Sequence, residues 1–360
     1  MTVRNRNTGN FMEFTELLSE LSQAFGPPGF EEEVRDLIRK RVALFADRLE
    51  EDALGNLTAW KNGKTDKIVM LDAHTDEVGI IISHIEEKGF LRFSPLGGWD
   101  GRLFPGSRVT LRGRKGDLSA VVGFVPPHIT KPEERSRAIP PEDLHLDIGC
   151  DSQEEVDASG IGIGTPGVLD GEYRELPGGK VLGKAFDDRA GCAAAIVILQ
   201  KLKEKKLPYH LAVNFAFGEE LGLRGAKVSG YRIAPDIALI LETTTAGDFP
   251  GVPRHLSPCR LGAGVAITVA DRTMVTAPRM VRFLQETAVA GKIPHQLKQP
   301  LFGGTDAGEI HLAKSGVLCG VLAIPARYIH SPSSILDLKD AQAMIRLIEA
   351  TLNKIPKFFQ

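Results

Sequence analysis

Apolar side chains recur at helical spacing over residues 13–25 (EFTELLSELSQAF), and the pattern stops at Gly26-Pro27-Pro28, which cannot continue a helix. A second amphipathic pattern covers residues 31–47, with Val34, Leu37, Ile38, Val42, Leu44 and Phe45 on one face and Glu31, Glu32 and Glu33 at the dipole-favoured start. NLTAW and KIVMLDAH follow as strands, the second a continuous apolar run suited to a sheet covered on both faces. From residue 78 to 180 the texture changes to short β-like runs (VGIIISHI, FLRFSPL, RVTLRG, LSAVVGFV) broken by Gly, Pro and Asp, with PPHITKPEERSRAIPPEDLH as a long polar loop. Helix and strand then alternate again through AGCAAAIVILQKLKEK, LAVNFAF, IALILE, AGVAITVA, PRMVRFLQETAVAG, GVLCGVLAI and KDAQAMIRLIEATLNKI. The alternation predicts an α/β fold: a three-layer sheet domain built from residues 1–77 and 181–360, interrupted by a β-rich insertion over 78–180.

Composition narrows the partners more than the fold. A formal charge of -2 gives no basic bias for nucleic acid or anionic lipid, so neither is expected. No apolar run approaches the roughly 20 residues that span a bilayer, and MTVRNRNTGNFMEF lacks an apolar signal core, which places the chain in the cytoplasm. Cys150, Cys192, Cys259 and Cys319 are widely spaced and form no CxxC pair; they read as free buried thiols, not a disulfide framework or a thiolate zinc site.

Two nucleotide-like motifs fail on chemistry. Gly162-Ile-Gly164-Thr-Pro-Gly167 matches GxGxxG, but no helix follows to hold a pyrophosphate; Gly178 to Lys184 matches GxxxxGK, but Ala185 stands where a P-loop needs Ser or Thr. The stronger candidates sit where apolar strands end, the usual place for a site in an open α/β sheet. His74 and Asp76 close KIVMLDAH; two apart on an extended chain, one can ligate a metal and the other orient a neighbour. Asp187-Asp188 lies in GKAFDDRAG at a helix start, where capping is the ordinary reading and a bridging carboxylate the functional one, with Arg189 as their counter-charge. Glu219-Glu220 follows LAVNFAFG, a paired position in which one acid binds metal and the other takes a proton. Glu242 ends IALILE, Asp248 follows in TTTAGDFPG, and His330 follows GVLCGVLAI. His74, Asp187, Glu220, Glu242 and His330 together form a two-histidine, three-carboxylate set that suits two zinc, cobalt or manganese ions.

The stretches LDAHTDEVG, LGGWDGRLFPG, VVGFVPPH, LDIGCDS, GKAFDDRAG, EELGLRGA, TTTAGDFPG, FGGTDAGEIHLAKSGV and IPARYIHSP, in order along the chain, closely resemble the tetrahedral (TET) aminopeptidases, a family of dinuclear metallopeptidases. The resemblance implies a zinc-peptidase-like αβα catalytic domain with an inserted PDZ-like or barrel domain for dimerisation, and dimers assembled into a hollow tetrahedral dodecamer. It implies two divalent ions per subunit, with Asp187 bridging, His74 and Glu242 completing one site, and Glu220 and His330 the other. Glu219 becomes the general base, Asp76 holds the His74 imidazole, and the Asp187-Asp188 peptide is cis. Gly303, Gly304, Thr305 and Asp306 wall the side-chain pocket. The family usually carries Asp where this chain has Glu242.

The activity so implied is removal of N-terminal residues from peptides. Its rivals are a related dinuclear amidohydrolase, either a carboxypeptidase or an N-acyl amino acid deacylase; a glycoside hydrolase, prompted by the cellulase label once given to some family members; and a metal-free assembly protein. Arg254 and Arg260 give a faint hint of acidic substrate side chains.

Overall fold

The computed structural model describes residues 8–126, 128–129, 138–298 and 303–359; part of the polar loop expected after residue 126 lies outside them. Two helices, α1 (Thr8–Gln23) and α2 (Glu32–Val42), precede the strands β1 (Arg48–Glu51), β2 (Leu57–Lys61) and β3 (Ile68–His74). Then come β4 (Gly79–Ile85), β5 (Leu91–Leu96), β6 (Arg108–Gly113), β7 (Gly116–Gly123), β8 (His145–Asp147), α3 (Gln153–Ser159) and β9 (Pro166–Leu169). The remainder is β10 (Arg174–Leu176), β11 (Lys180–Gly183), α4 (Phe186–Lys201), β12 (His210–Ala216), α5 (Arg224–Ile233), β13 (Ile237–Thr245), β14 (Val265–Thr268), α6 (Pro278–Ala290), β15 (His295–Lys298), α7 (Ala307–Ile310), β16 (Leu318–Arg327), β17 (Ser334–Asp337) and α8 (Leu338–Lys354).

Eleven strands form one mixed sheet in the order β1-β2-β12-β3-β13-β16-β17-β11-β10, with β14 and β15 branching from β16. Its centre, β12-β3-β13-β16, is parallel. Side chains alternate across a strand, so β3 sends Val69, Leu71 and Ala73 to one face and Met70, Asp72 and His74 to the other. The first face packs on α1, α2, α4, α6 and α8, and Phe14, Leu17, Leu18 and Leu21 of α1 supply the predicted helical stripe. The second face packs on α5 and α7 through Ala226, Ile233, Ala307 and Ile310 against Met70, Ala238, Ile240 and Val321. This is a three-layer α/β arrangement, and His74 emerges at the end of the thinner side.

The strands β4-β5-β8-β7-β6-β9 close into a six-stranded barrel with its own core of Ile80, Ile82, Leu91, Phe93, Val109 and Leu146. The GxGxxG-like stretch leads into β9, not into a helix. Lys184 of the P-loop-like stretch is buried against Glu77, with Nζ 2.6 and 2.7 Å from the two carboxylate oxygens. All four cysteines are free. Among the described residues no helix is long and apolar enough to cross a membrane.

Candidate active site

Register brings the strand-end residues level. Asp72 of β3 pairs with Ile240 of β13, so His74 and Glu242, each two residues further on, stand side by side on one face. Ala216 of β12 pairs with His74, and the turn just beyond it carries Glu219 and Glu220. Asp187 opens α4 at a kink with a cis Asp187-Asp188 peptide, and His330 lies between β16 and β17.

These side chains converge. The Asp187 carboxylate lies between both imidazoles: Oδ1 is 3.3 Å from His74 Nε2 and Oδ2 is 3.4 Å from His330 Nε2. Glu242 Oε2 is 3.9 Å from His74 Nε2, Glu220 Oε1 is 3.0 Å from His330 Nε2, and Glu219 Oε2 is 4.0 Å from His74 Nε2. Two ligand atoms on one tetrahedral zinc with bonds near 2.0–2.2 Å stand about 3.3–3.6 Å apart, which the two Asp187–imidazole distances match. Two ligand clusters, His74-Asp187-Glu242 and Asp187-Glu220-His330, share Asp187, and each has its donor atoms within 4.8 Å of one another.

The outer nitrogens of both rings face an oxygen, His330 in a hydrogen bond and His74 in a close contact that lacks hydrogen-bond alignment. His74 Nδ1 is 3.2 Å from Asp76 Oδ1, and His330 Nδ1 is 2.7 Å from the Gly98 carbonyl, a loop residue following the barrel strand β5. A proton held on each Nδ1 leaves the inner Nε2 lone pairs free for a metal. Asp76, fully buried, also accepts from the backbone N–H groups of Glu219 and Glu220, both at 3.0 Å. Asparagine would turn an N–H toward one of these N–H groups and leave it unpaired. Asp76→Asn is therefore expected to weaken divalent-cation affinity about 10- to 100-fold, measured by competition with a chelator.

The electrostatics call for cations. Burial raises the pKa of Glu219 to about 8; the His74 charge opposes this, while Glu220, Asp76 and Asp187 add to it. Burial likewise raises Glu220, and raises Glu242 and Asp188 far above the usual carboxylate range. Asp187 is the exception: burial opposes its charge, but contacts with His330 and His74 hold it well below that range. Burial disfavours charge on His330, yet Asp187 and Glu220 push it up to about 11. A cation binding at Nε2 of either ring would compete with a proton there.

The comparisons with known proteins agree with this geometry. The family model described as M42 glutamyl aminopeptidase matches residues 55–347. The chain belongs to the M42 glutamyl aminopeptidase family. Among M42 relatives, the lysyl aminopeptidase of Pyrococcus furiosus is 30% identical over 94% of this chain and 97% of its own length. The TET aminopeptidase structure from the marine sediment archaeon Thaumarchaeota archaeon SCGC AB-539-E09 superposes with a TM-score of 0.93 at 36% identity, covering 96% of this chain and 98% of that one. The Pyrococcus horikoshii TET1 peptidase, described as assembling into a tetrahedron or a large octahedral shell, has a TM-score of 0.83 at 31% identity over 94% and 98% of the two chains. As an M42 member the protein is a hydrolase acting on peptide bonds, and the family implies divalent metals.

Several residues of this M42 chain sit elsewhere than expected. Arg189 is no counter-charge for Asp187-Asp188; fully buried, it donates to the carbonyls of Thr75 and Ala24 at 2.7 and 3.0 Å and approaches Glu77. Asp188 accepts from the Gly191 N–H at 3.0 Å, a capping role. Asp248 forms a two-pronged pair with Arg327 at 2.8 and 2.7 Å. Gly303, Gly304 and Thr305 line the cavity beside the candidate metal ligands, whereas Asp306 is buried outside it, its pKa raised well above the carboxylate range by burial and then by the neighbouring Asp72. Arg254 and Arg260 are exposed and do not line the cavity; among the described residues the lysine or arginine that does is Lys298.

Glu31 stands at the N-cap of α2, as the pattern placed it, but is only 1% exposed, accepting from Thr75 Oγ1 and from the Gly218 N–H at 3.1 Å. Burial, reinforced by Asp76, raises its pKa from 4.5 to about 8. A carboxyl whose pKa rises on folding contributes its full stability below about pH 4.5 and loses it as pH climbs through 8. Glu31→Gln is expected to remove that slope: denaturant melts between pH 5 and 8 should flatten relative to the wild type, and an unchanged slope would refute the assignment.

Proposed function

We propose that the protein removes N-terminal residues from peptides with two divalent cations, zinc, cobalt or manganese. His74, Asp187 and Glu242 hold one, and Asp187, Glu220 and His330 hold the other. The placement of the Asp187 carboxylate between two imidazoles carries the reading, because one oxygen faces each ring at 3.3 and 3.4 Å. Bound cations supply Lewis acidity, polarising a scissile carbonyl and bringing the pKa of water near neutrality. Glu219, held by its N–H to Asp76, accepts a proton from the attacking water and delivers it to the leaving amine. Asp76 keeps the His74 ring in the tautomer that presents Nε2 inward. Glu242, one methylene longer than the Asp usual in the family, still brings a carboxylate oxygen within 3.9 Å of His74 Nε2.

We also take residues 78–180 to be an inserted dimerisation unit and the assembly to be a dodecamer, by analogy with the TET structures. Four free thiols fit a reducing cytoplasm. The deciding experiment compares Leu-p-nitroanilide with its N-acetylated form: an aminopeptidase cleaves only the first. Equal turnover of both would favour a deacylase-type amidohydrolase instead.

A further inference from the structure

The two imidazoles of the site are held in different ways. His74 ends strand β3 with its side chain 2% exposed, and its Nδ1 faces Asp76, two residues further along the same chain. His330 lies between β16 and β17 with φ of +55°, two residues after Tyr328 at +59°, and its side chain is 29% exposed. A turn, not a strand, sets its direction. The remaining restraint is the hydrogen bond at 2.7 Å between its Nδ1 and the Gly98 carbonyl, on the chain that leaves barrel strand β5. The inserted barrel therefore orients one imidazole of the sheet domain.

The same turn presses on Glu220. A Cβ built on Gly97 would lie 3.3 Å from the Glu220 side chain and 2.7 Å from Val78 Cγ1, and the φ of +86° there is one that residues with side chains rarely adopt. On Gly98 a Cβ would lie 3.4 Å from His330 Nδ1. Two glycines thus bring backbone against Glu220 and His330, which with Asp187 form one of the two ligand clusters.

Trp99 holds this turn in place. Its Nε1–H donates to the Gly79 carbonyl of β4 at 2.8 Å, and Gly79 pairs with Leu96, the residue before Gly97. Its ring stands 5.0 Å from that of Phe104, which is fully buried in the barrel core and 5.3 Å from Phe93. A packed indole with its N–H bonded is a stiff anchor, having two side-chain torsions to fix. Together with Val78 and Leu169, Trp99 also walls a small cavity whose other side is Asp187, Glu220 and His330.

We propose that Trp99 is a positioning residue: by fixing the Gly97-Gly98 turn it sets the cation affinity of the Asp187-Glu220-His330 cluster, while the His74 cluster depends on Asp76. The inference rests on the two-cation reading above and divides control of the two ions between barrel and sheet. A partner at the outer nitrogen fixes the tautomer and direction of a ligating imidazole, so a loosened turn weakens His330 as a ligand without removing it.

The test is stepwise titration of the chelated protein with cobalt(II), read by calorimetry and by the visible absorption of the bound metal. The wild type is expected to show two binding events, and His330→Ala identifies one of them by abolishing it. Trp99→Phe keeps a ring against Phe104 but loses the N–H. It should weaken the identified event about 3- to 10-fold and change its absorption, leaving the other event within about 2-fold. Gly97→Ala should weaken the same event about 10- to 100-fold, a second reading should the tryptophan variant fail to fold. A Trp99 that serves the fold alone would weaken both events together or neither. Either result, or selective weakening of the other event, overturns the proposal and leaves the two-cation reading standing. A wild type that binds fewer than two ions overturns both.

Discussion

Glu219→Gln is expected to lower kcat by about 10²- to 10⁴-fold while leaving KM and metal content nearly unchanged. Gln keeps the side-chain volume and the N–H bond to Asp76 but cannot carry a proton between water and amine. Burial drives the Glu219 pKa to about 8 in the surroundings described, and added cations favour its charged form, so the base titrates lower in the loaded enzyme. Activity should therefore fall on the acid side as Glu219 gains its proton. Steady-state kinetics on Leu-p-nitroanilide with elemental analysis of the same sample checks this. Full activity in the Gln variant, or loss of metal along with activity, would remove Glu219 from the role of base.

The second large effect concerns the shared carboxylate. Asp187→Ala is expected to reduce hydrolysis to background at any zinc or cobalt concentration, because both clusters lose a member at once. His330→Ala should damage only the cluster it shares with Glu220 and be partly rescued by excess metal. Metal-dependence curves for the two variants separate these outcomes; matching curves would mean that Asp187 serves one ion only.

Much of this site was legible because buried parallel strands are apolar until they end. In IALILE the polar residue that ends the apolar run, Glu242, and in IVMLDAH the last residue, His74, two beyond Asp72, stand out against their own strands, and register does the rest. The barrel was legible as a β-rich texture, though not its closure, which depends on pairings such as β4 with β9 that lie far apart in sequence. Helix α5 escaped the pattern because its buried face is Gly225, Ala226, Ser229, Gly230 and Ile233. A Cβ on Gly230 would sit 3.2 Å from the Ile310 backbone, so close packing here calls for small residues instead of large apolar ones.

Lys298 was hidden for a related reason. The strand HQLK carries no hydrophobic alternation, and its pairing with β14 is what brings Lys298 to the cavity wall. Arg189 shows the opposite error: local sequence gave it an ordinary electrostatic role beside its neighbours, while tertiary packing turned it inward toward Glu77. Charge runs report local neighbours, not the direction in which a long side chain leaves the backbone.

Zinc titration of the chelated wild-type protein, followed by calorimetry, puts the most direct question to the convergence of His74, Asp187, Glu220, Glu242 and His330. Two ions should bind per chain, with hydrolysis of Leu-p-nitroanilide returning as they load. Binding of a single ion or none, or hydrolysis that survives complete chelation, would contradict the account.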